Sequence, residues 1–219
     1  RLNPLSGSDA SMIKLVAIAA LLFLVPISNA ASVDVYFGTG GRTTKGIYHA
    51  KFDTETGKLS PAKLAAEIGG PGFLAFSPDK TRLYAVCQKN KVPSVAAYSV
   101  NSDGSLELLN TTPIGDGGGA HISVHPSNQF IMTAQYGGGS AAVYPIEKNG
   151  RVGKQSQLIE HEGGSGVAGK RQDKPHPHWT GYSPDGKFAF VPDLGLDQVV
   201  IYRVNANNRS ISPHGILHG

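Results

Sequence analysis

His176-Pro177-His178 sets two imidazoles two positions apart, five residues after Arg171. Residues i and i+2 of an extended chain face the same way. Two imidazoles on one side with a guanidinium near them make a site that could bind an anion and move a proton. Histidine suits the second task because it titrates near neutrality. Two further residues belong to the same chemistry: His121, which follows Gly117-Gly118-Gly119-Ala120, and Asp193, which heads Asp193-Leu194-Gly195 and could orient a histidine or pair with Arg171. His-X-His can also be half of a zinc site, with a third ligand such as Asp193 or His121. The plainest alternative is that each histidine caps a buried strand end through hydrogen bonds.

The elements that must position these residues are short strands in a repeat. Phe73-Leu74-Ala75-Phe76-Ser77-Pro78-Asp79 followed by Leu83-Tyr84-Ala85-Val86 returns as His121-Ile122-Ser123-Val124-His125-Pro126-Ser127 followed by Phe130-Ile131-Met132. It returns again as Trp179-Thr180-Gly181-Tyr182-Ser183-Pro184-Asp185 followed by Phe188-Ala189-Phe190-Val191. A β-rich period near 50 residues predicts an all-β propeller of four-stranded blades. One full unit reads as strand A over 73–76, B over 83–88, C over 94–100 and D over 106–111. The C strands carry Tyr48, Tyr98, Tyr144 and Tyr202, expected to pack between blades. Aligning the Pro turns matches His121 to Phe73 and Trp179, so a packing position has become histidine. His178 matches Gly72 and Ala120. His125 matches Ser77 and Ser183 and reads as a turn residue.

The repeat breaks once. Ser77 to His125 is 48 residues and His125 to Ser183 is 58, so about ten extra residues fall in the Gly-rich stretch 160–178. That stretch is a D-to-A connection, and long loops on a rigid scaffold often carry function. It contains Arg171 and ends in His176-Pro177-His178.

The ends of the chain carry their own readings. Residues 1–11 read as upstream non-native sequence. Met12-Ile13-Lys14, the apolar run to Val25 and Ser28-Asn29-Ala30 read as a signal peptide cleaved after Ala30, which implies a secreted or periplasmic protein. The apolar run is too short to span a bilayer, so no membrane contact is expected after cleavage. Val33 to Phe37 reads as a strand B with no strand A before it, and Gly215 to Gly219 as the start of a strand D. Residues 31–219 are therefore expected to be the N-terminal part of a C-terminally truncated propeller of about four blades. A four-bladed ring is the alternative.

Composition narrows the class. With net charge +4 and Lys170-Arg171 the one adjacent basic pair, nucleic-acid binding has little support. Cys87 is the single cysteine, which excludes an intrachain disulfide or a cysteine-built zinc site, and it reads as a buried small hydrophobe. No Gly-X-Ser-X-Gly elbow or phosphate-binding loop occurs.

The Ser-Pro-Asp turns, Lys174-Pro175-His176-Pro177-His178 and Val191-Pro192-Asp193-Leu194-Gly195-Leu196-Asp197 resemble the lactonase family of seven-bladed β-propellers, which includes 6-phosphogluconolactonases of the cycloisomerase type and fungal carboxymuconate cyclases. The resemblance covers roughly residues 33–219 and implies seven blades in the full protein. It implies hydrolysis of a small sugar-type lactone, anionic in character, by a monomer needing neither metal nor organic cofactor. Within that reading His121 or His178 is the base and the other a donor to the oxyanion, with Asp193 beside them. Arg171, together with His176, holds the phosphate or carboxylate end. Cyclisation or opening of a muconate-type lactone is the rival reaction. A non-catalytic binding propeller is the rival function.

Overall fold

The computed structural model describes residues 31–40 and 43–219, so the signal-peptide reading over 12–30 lies outside the described residues. Among the described residues fifteen strands form four antiparallel sheets. Blade I has β1 (Ser32–Gly38), β2 (Gly46–Asp53) and β3 (Lys63–Glu67). Blade II has β4 (Gly69–Phe76), β5 (Arg82–Lys89), β6 (Val92–Val100) and β7 (Leu106–Pro113). Blade III has β8 (His121–Val124), β9 (Phe130–Gln135), β10 (Ser140–Pro145) and β11 (Gln157–Glu160). Blade IV has β12 (Gly181–Tyr182), β13 (Phe188–Asp193), β14 (Gln198–Asn205) and β15 (Ser210–His218). Within each sheet the strands pair in chain order, and the first strand of one four-stranded blade lies against the first strand of the next. Among the described residues blade I has three strands.

Side-chain alternation explains how the blades stack. Leu83, Ala85 and Cys87 of β5 pack with Ile47 and Ile68 of the blade I side, while Tyr84 and Val86 of the same strand pack with Ile122 and Ile131 of blade III. Ile131 of β9 joins that second cluster, and its neighbours Phe130 and Met132 turn the other way to meet Val191 and Tyr202 of blade IV. A middle strand therefore feeds two cores, one per face, and reads as a continuous apolar run rather than an alternating one. Cys87 sits in this wall, and burial pushes its thiol up to about 11, consistent with a packing role.

The Ser-Pro-Asp turns are built by their first and third residues. Ser77 Oγ donates to Asp79 at 2.6 Å and accepts the Arg82 N–H at 2.9 Å; Ser183 Oγ does the same with Asp185 and the Phe188 N–H at 2.6 and 3.0 Å. The fourth residue of the turn is left-handed in all three copies, at φ 58° for Lys80 and Asn128 and 69° for Gly186. Glycine suits 186 because a Cβ there would press on the His125 ring. His125 does more than turn the chain. Its Nδ1 accepts the Ser127 N–H at 3.1 Å, so its Nε2–H donates to the Gly186 carbonyl at 2.9 Å and ties blade III to blade IV.

Two boundaries in blade IV differ from the sequence reading. Strand D starts at Ser210, not Gly215. Asn205 Oδ1 accepts the Asn207 and Asn208 N–H groups and Arg209 is left-handed at φ 56°, so the chain reverses in one tight turn. Pro213 is tolerated because it flanks a bulge opposite Ile201 and Tyr202. Strand A keeps only Gly181 and Tyr182 in the ladder, because the Thr180 N–H is directed at His121 instead.

Candidate functional site

The D-to-A loops and the B-to-C turns share one end of the blades, and the candidate residues meet there. The inserted loop is pinned over the blade IV B-to-C turn. Gln172 is buried, its amide donates to the Leu194 carbonyl at 3.0 Å, and its Oε1 accepts the Ala168 N–H. The Ser165 N–H donates to the Gly195 carbonyl at 2.9 Å and the Gly166 N–H to the Gln172 carbonyl at 3.0 Å. The loop is thus a docked support, and its 3₁₀ turn, Lys170–Gln172, holds Arg171 out in solvent.

Tyr136, at the end of β9, gathers the loop residues. Its hydroxyl accepts Arg171 Nη2–H at 3.1 Å. His176 stacks on its ring at 4.3 Å between centroids, and His178 meets it edge-on at 5.7 Å. The i, i+2 expectation therefore holds, since both imidazoles reach the same ring. Their environments differ. His176 is buried, and its Nδ1–H donates to the Tyr136 carbonyl at 2.8 Å, leaving Nε2 as an acceptor. His178 is exposed, with its backbone N–H bonded to the Pro192 carbonyl at 3.1 Å and its ring at the mouth.

His121 lies close enough to His178 for their charges to interact, and is 6% exposed. Phe73 covers one side at 3.8 Å between ring centroids and Trp179 another at 5.4 Å. Its Nδ1 accepts the Thr180 N–H at 3.3 Å, which fixes the proton on Nε2. Burial, with the His178 charge as a smaller cause, lowers its pKa to about 4. At neutral pH His121 is an uncharged imidazole presenting an N–H.

Asp193 orients a histidine, but the ring it holds is that of His161. It pairs neither with Arg171 nor with the rings of His176 and His178. One carboxylate oxygen accepts the N–H groups of His176, Gly195 and Leu196 at 2.7, 2.9 and 3.2 Å. The other accepts His161 Nδ1–H at 2.6 Å, and His161 Nε2 accepts the Tyr202 hydroxyl at 2.6 Å. Burial opposes ionisation, but the His161 bond and the His176 and Leu196 N–H groups outweigh it and hold the carboxyl below the usual range. Asp193 is a buried anchor that sets the His176 backbone. Asp193→Ala orphans all four donors and is expected to cost about 3–5 kcal/mol in urea unfolding. A loss under about 1 kcal/mol would show that the loop holds His176 without it.

Among the described residues no group of three His, Cys, Asp or Glu side chains converges on one point. Asp193 and His121 are each turned to other partners, so neither joins His176 and His178 as a third ligand. The sequence reading passed over Tyr136 and His161. Tyr136 follows the end of strand B, just before the unusual Gly137-Gly138-Gly139 turn, and that run was its one signal in the sequence. His161 opens the inserted loop, but nothing in the sequence pairs it with a residue 32 positions on.

Four-stranded antiparallel blades stacked face to face define a β-propeller, here with histidines and an arginine at its loop-bearing end. The chain belongs to the lactonase family of seven-bladed β-propellers, whose family model matches residues 34–218. It is 34% identical over 174 residues to the 6-phosphogluconolactonase of Bacillus subtilis, covering 77% of this chain and 49% of that protein. The crystal structure of a candidate 6-phosphogluconolactonase from Bacteroides fragilis superposes with a TM-score of 0.80 at 29% identity, over 89% of this chain and 56% of the other. A Lactobacillus plantarum protein superposes at 0.77 and 28% identity, over 86% and 54%. The chain spans about half the length of the curated relatives it matches.

Proposed function

We propose that the protein is a lactone hydrolase of the 6-phosphogluconolactonase type, opening a sugar-type lactone by water attack at the His121–His178 mouth. The observation that carries this reading is the burial of His121 between Phe73 and Trp179, with its Nδ1 accepting the Thr180 N–H. A neutral imidazole with its proton fixed on Nε2 suits donation to an oxyanion and is too weakly basic to take a proton at neutral pH. That leaves the exposed His178 as the base. His178 removes a proton from water as the oxygen attacks the carbonyl carbon. The developing oxyanion accepts the His121 Nε2–H. Collapse breaks the bond to the ring oxygen, which takes the proton back from His178, and the product is an open-chain hydroxy acid. Arg171 offers a second N–H face to an anionic substituent while Tyr136 fixes its first. The relatives named 6-phosphogluconolactonase support the same class.

The test is acid release by the whole protein from 6-phosphogluconolactone and from uncharged gluconolactone, with spontaneous hydrolysis subtracted. Faster turnover of the phosphorylated lactone is expected. Turnover of a muconate-type lactone alone would move the protein to the rival reaction, and no turnover of any lactone would leave a binding propeller.

A further inference from the structure

Two large rings flank His121 and are open. Phe73 and Trp179 are each 42% exposed, whereas Ile122, Phe130, Ile131 and Val191 in the walls between blades are at most 1% exposed. Phe73, His121 and Trp179 are repeat-equivalent, one from each of three successive blades, so the fold itself sets the three rings side by side. Their ring planes are tilted by 45° and 43° about His121.

The placement of Trp179 has a specific cause. A Cβ at Gly181 would fall inside the indole ring, so the indole lies across the bare backbone of that residue. The repeat-equivalent residues, Ala75 and Ser123, both carry a Cβ. Blade IV therefore departs from the repeat where a flat indole needs the room. The next peptide completes the arrangement: the Thr180 N–H sets the His121 tautomer, and Thr180 Oγ1 is 2.7 Å from Ser123 Oγ in blade III. Aromatic wall and oxyanion donor are held by the same three residues, 179–181.

We propose that Trp179 and Phe73 form a stacking wall that receives the C–H face of a closed lactone ring and seats its carbonyl against His121, so that the site prefers the ring-closed substrate to the open-chain acid it yields. The inference rests on the reading of this mouth as a lactone site. A closed ring offers a flat apolar face to an indole, and stacking of this kind is worth about a tenfold change in affinity. The open-chain product has no such face, so hydrolysis itself weakens the contact and favours release.

The probe is D-glucono-1,5-lactam, a closed ring that resists hydrolysis and carries no charge for Arg171, compared with gluconate. Trp179 is the sole tryptophan of these 219 residues, and its emission is the part of the whole protein's signal that Trp179→Phe removes. The lactam should change that emission and bind about tenfold more tightly than gluconate. Trp179→Ala should weaken lactam binding about tenfold. Gly181→Ala, which keeps the indole but displaces it, should weaken binding similarly and guards against a Trp179→Ala protein that does not fold. Equal lactam affinity in the parent and both variants, equal affinity for lactam and gluconate, or no lactam binding at all would overturn the wall. Lactam binding through Trp179 without hydrolysis of any lactone would instead leave the wall and remove the hydrolase reading. His178→Ala should lower turnover and leave lactam binding intact.

Discussion

Replacing His178 with alanine in the whole protein is expected to lower kcat by roughly 10²–10⁴-fold with little change in KM. The ring is exposed at the mouth, and its backbone is held independently by the Pro192 carbonyl. Its loss therefore removes a proton acceptor without moving the strand. Arg171→Ala separates binding from chemistry. The guanidinium is exposed on a docked loop and touches Tyr136 through one nitrogen, so its removal should raise KM for 6-phosphogluconolactone and leave gluconolactone almost unchanged. Full activity of His178→Ala on both lactones would make that residue a strand cap. An equal effect of Arg171→Ala on both lactones would remove its anion-binding role.

His121→Phe returns the position to the residue its repeat carries in blade II and tests function against stability in one protein. Loss of an oxyanion donor should lower kcat by roughly 10²–10³-fold. Stability should change with pH in the opposite sense. The folded pKa of His121 is about 4 against 6.5 for the free side chain, so between those values the unfolded chain binds the proton and the folded chain does not. The folded state keeps its full stability above pH 6.5 and loses about 3 kcal/mol from this one group as the pH falls through 4. Phenylalanine cannot take up the proton. The variant gives up the Thr180 N–H acceptor at every pH, at about 1 kcal/mol, but its stability should fall less between pH 7.5 and pH 4 than that of the parent. Denaturant midpoints at the two pH values measure this. The same acid dependence in both proteins would mean that His121 is not held neutral by its burial.

Under the proposed function one histidine acts as base and its neighbour as donor because of where each sits. His178 faces solvent. His121 is shut between two aromatic rings and held by a backbone N–H. The difference comes from packing, since both side chains have the same intrinsic chemistry.

Local pattern and spacing determined much of this protein. The repeated strand–turn–strand units, the inserted loop and the departure of His121 from an aromatic position are all legible because alternation and turn chemistry act over a few residues. The same reasoning failed at Pro213, where a bulge admits a proline into β15, and at Trp179 and Thr180, where a cross-blade bond takes the place of ladder pairing. Side-chain partners far apart in sequence were beyond it. Tyr136 collects Arg171, His176 and His178 from positions 35, 40 and 42 residues later. His161 reaches Asp193 32 residues on and occupies one of its carboxylate oxygens. Which imidazole is neutral, and which nitrogen bears its proton, depends on burial and on one N–H from another blade. Those are properties of the packed blades, and the order of residues along the chain does not contain them.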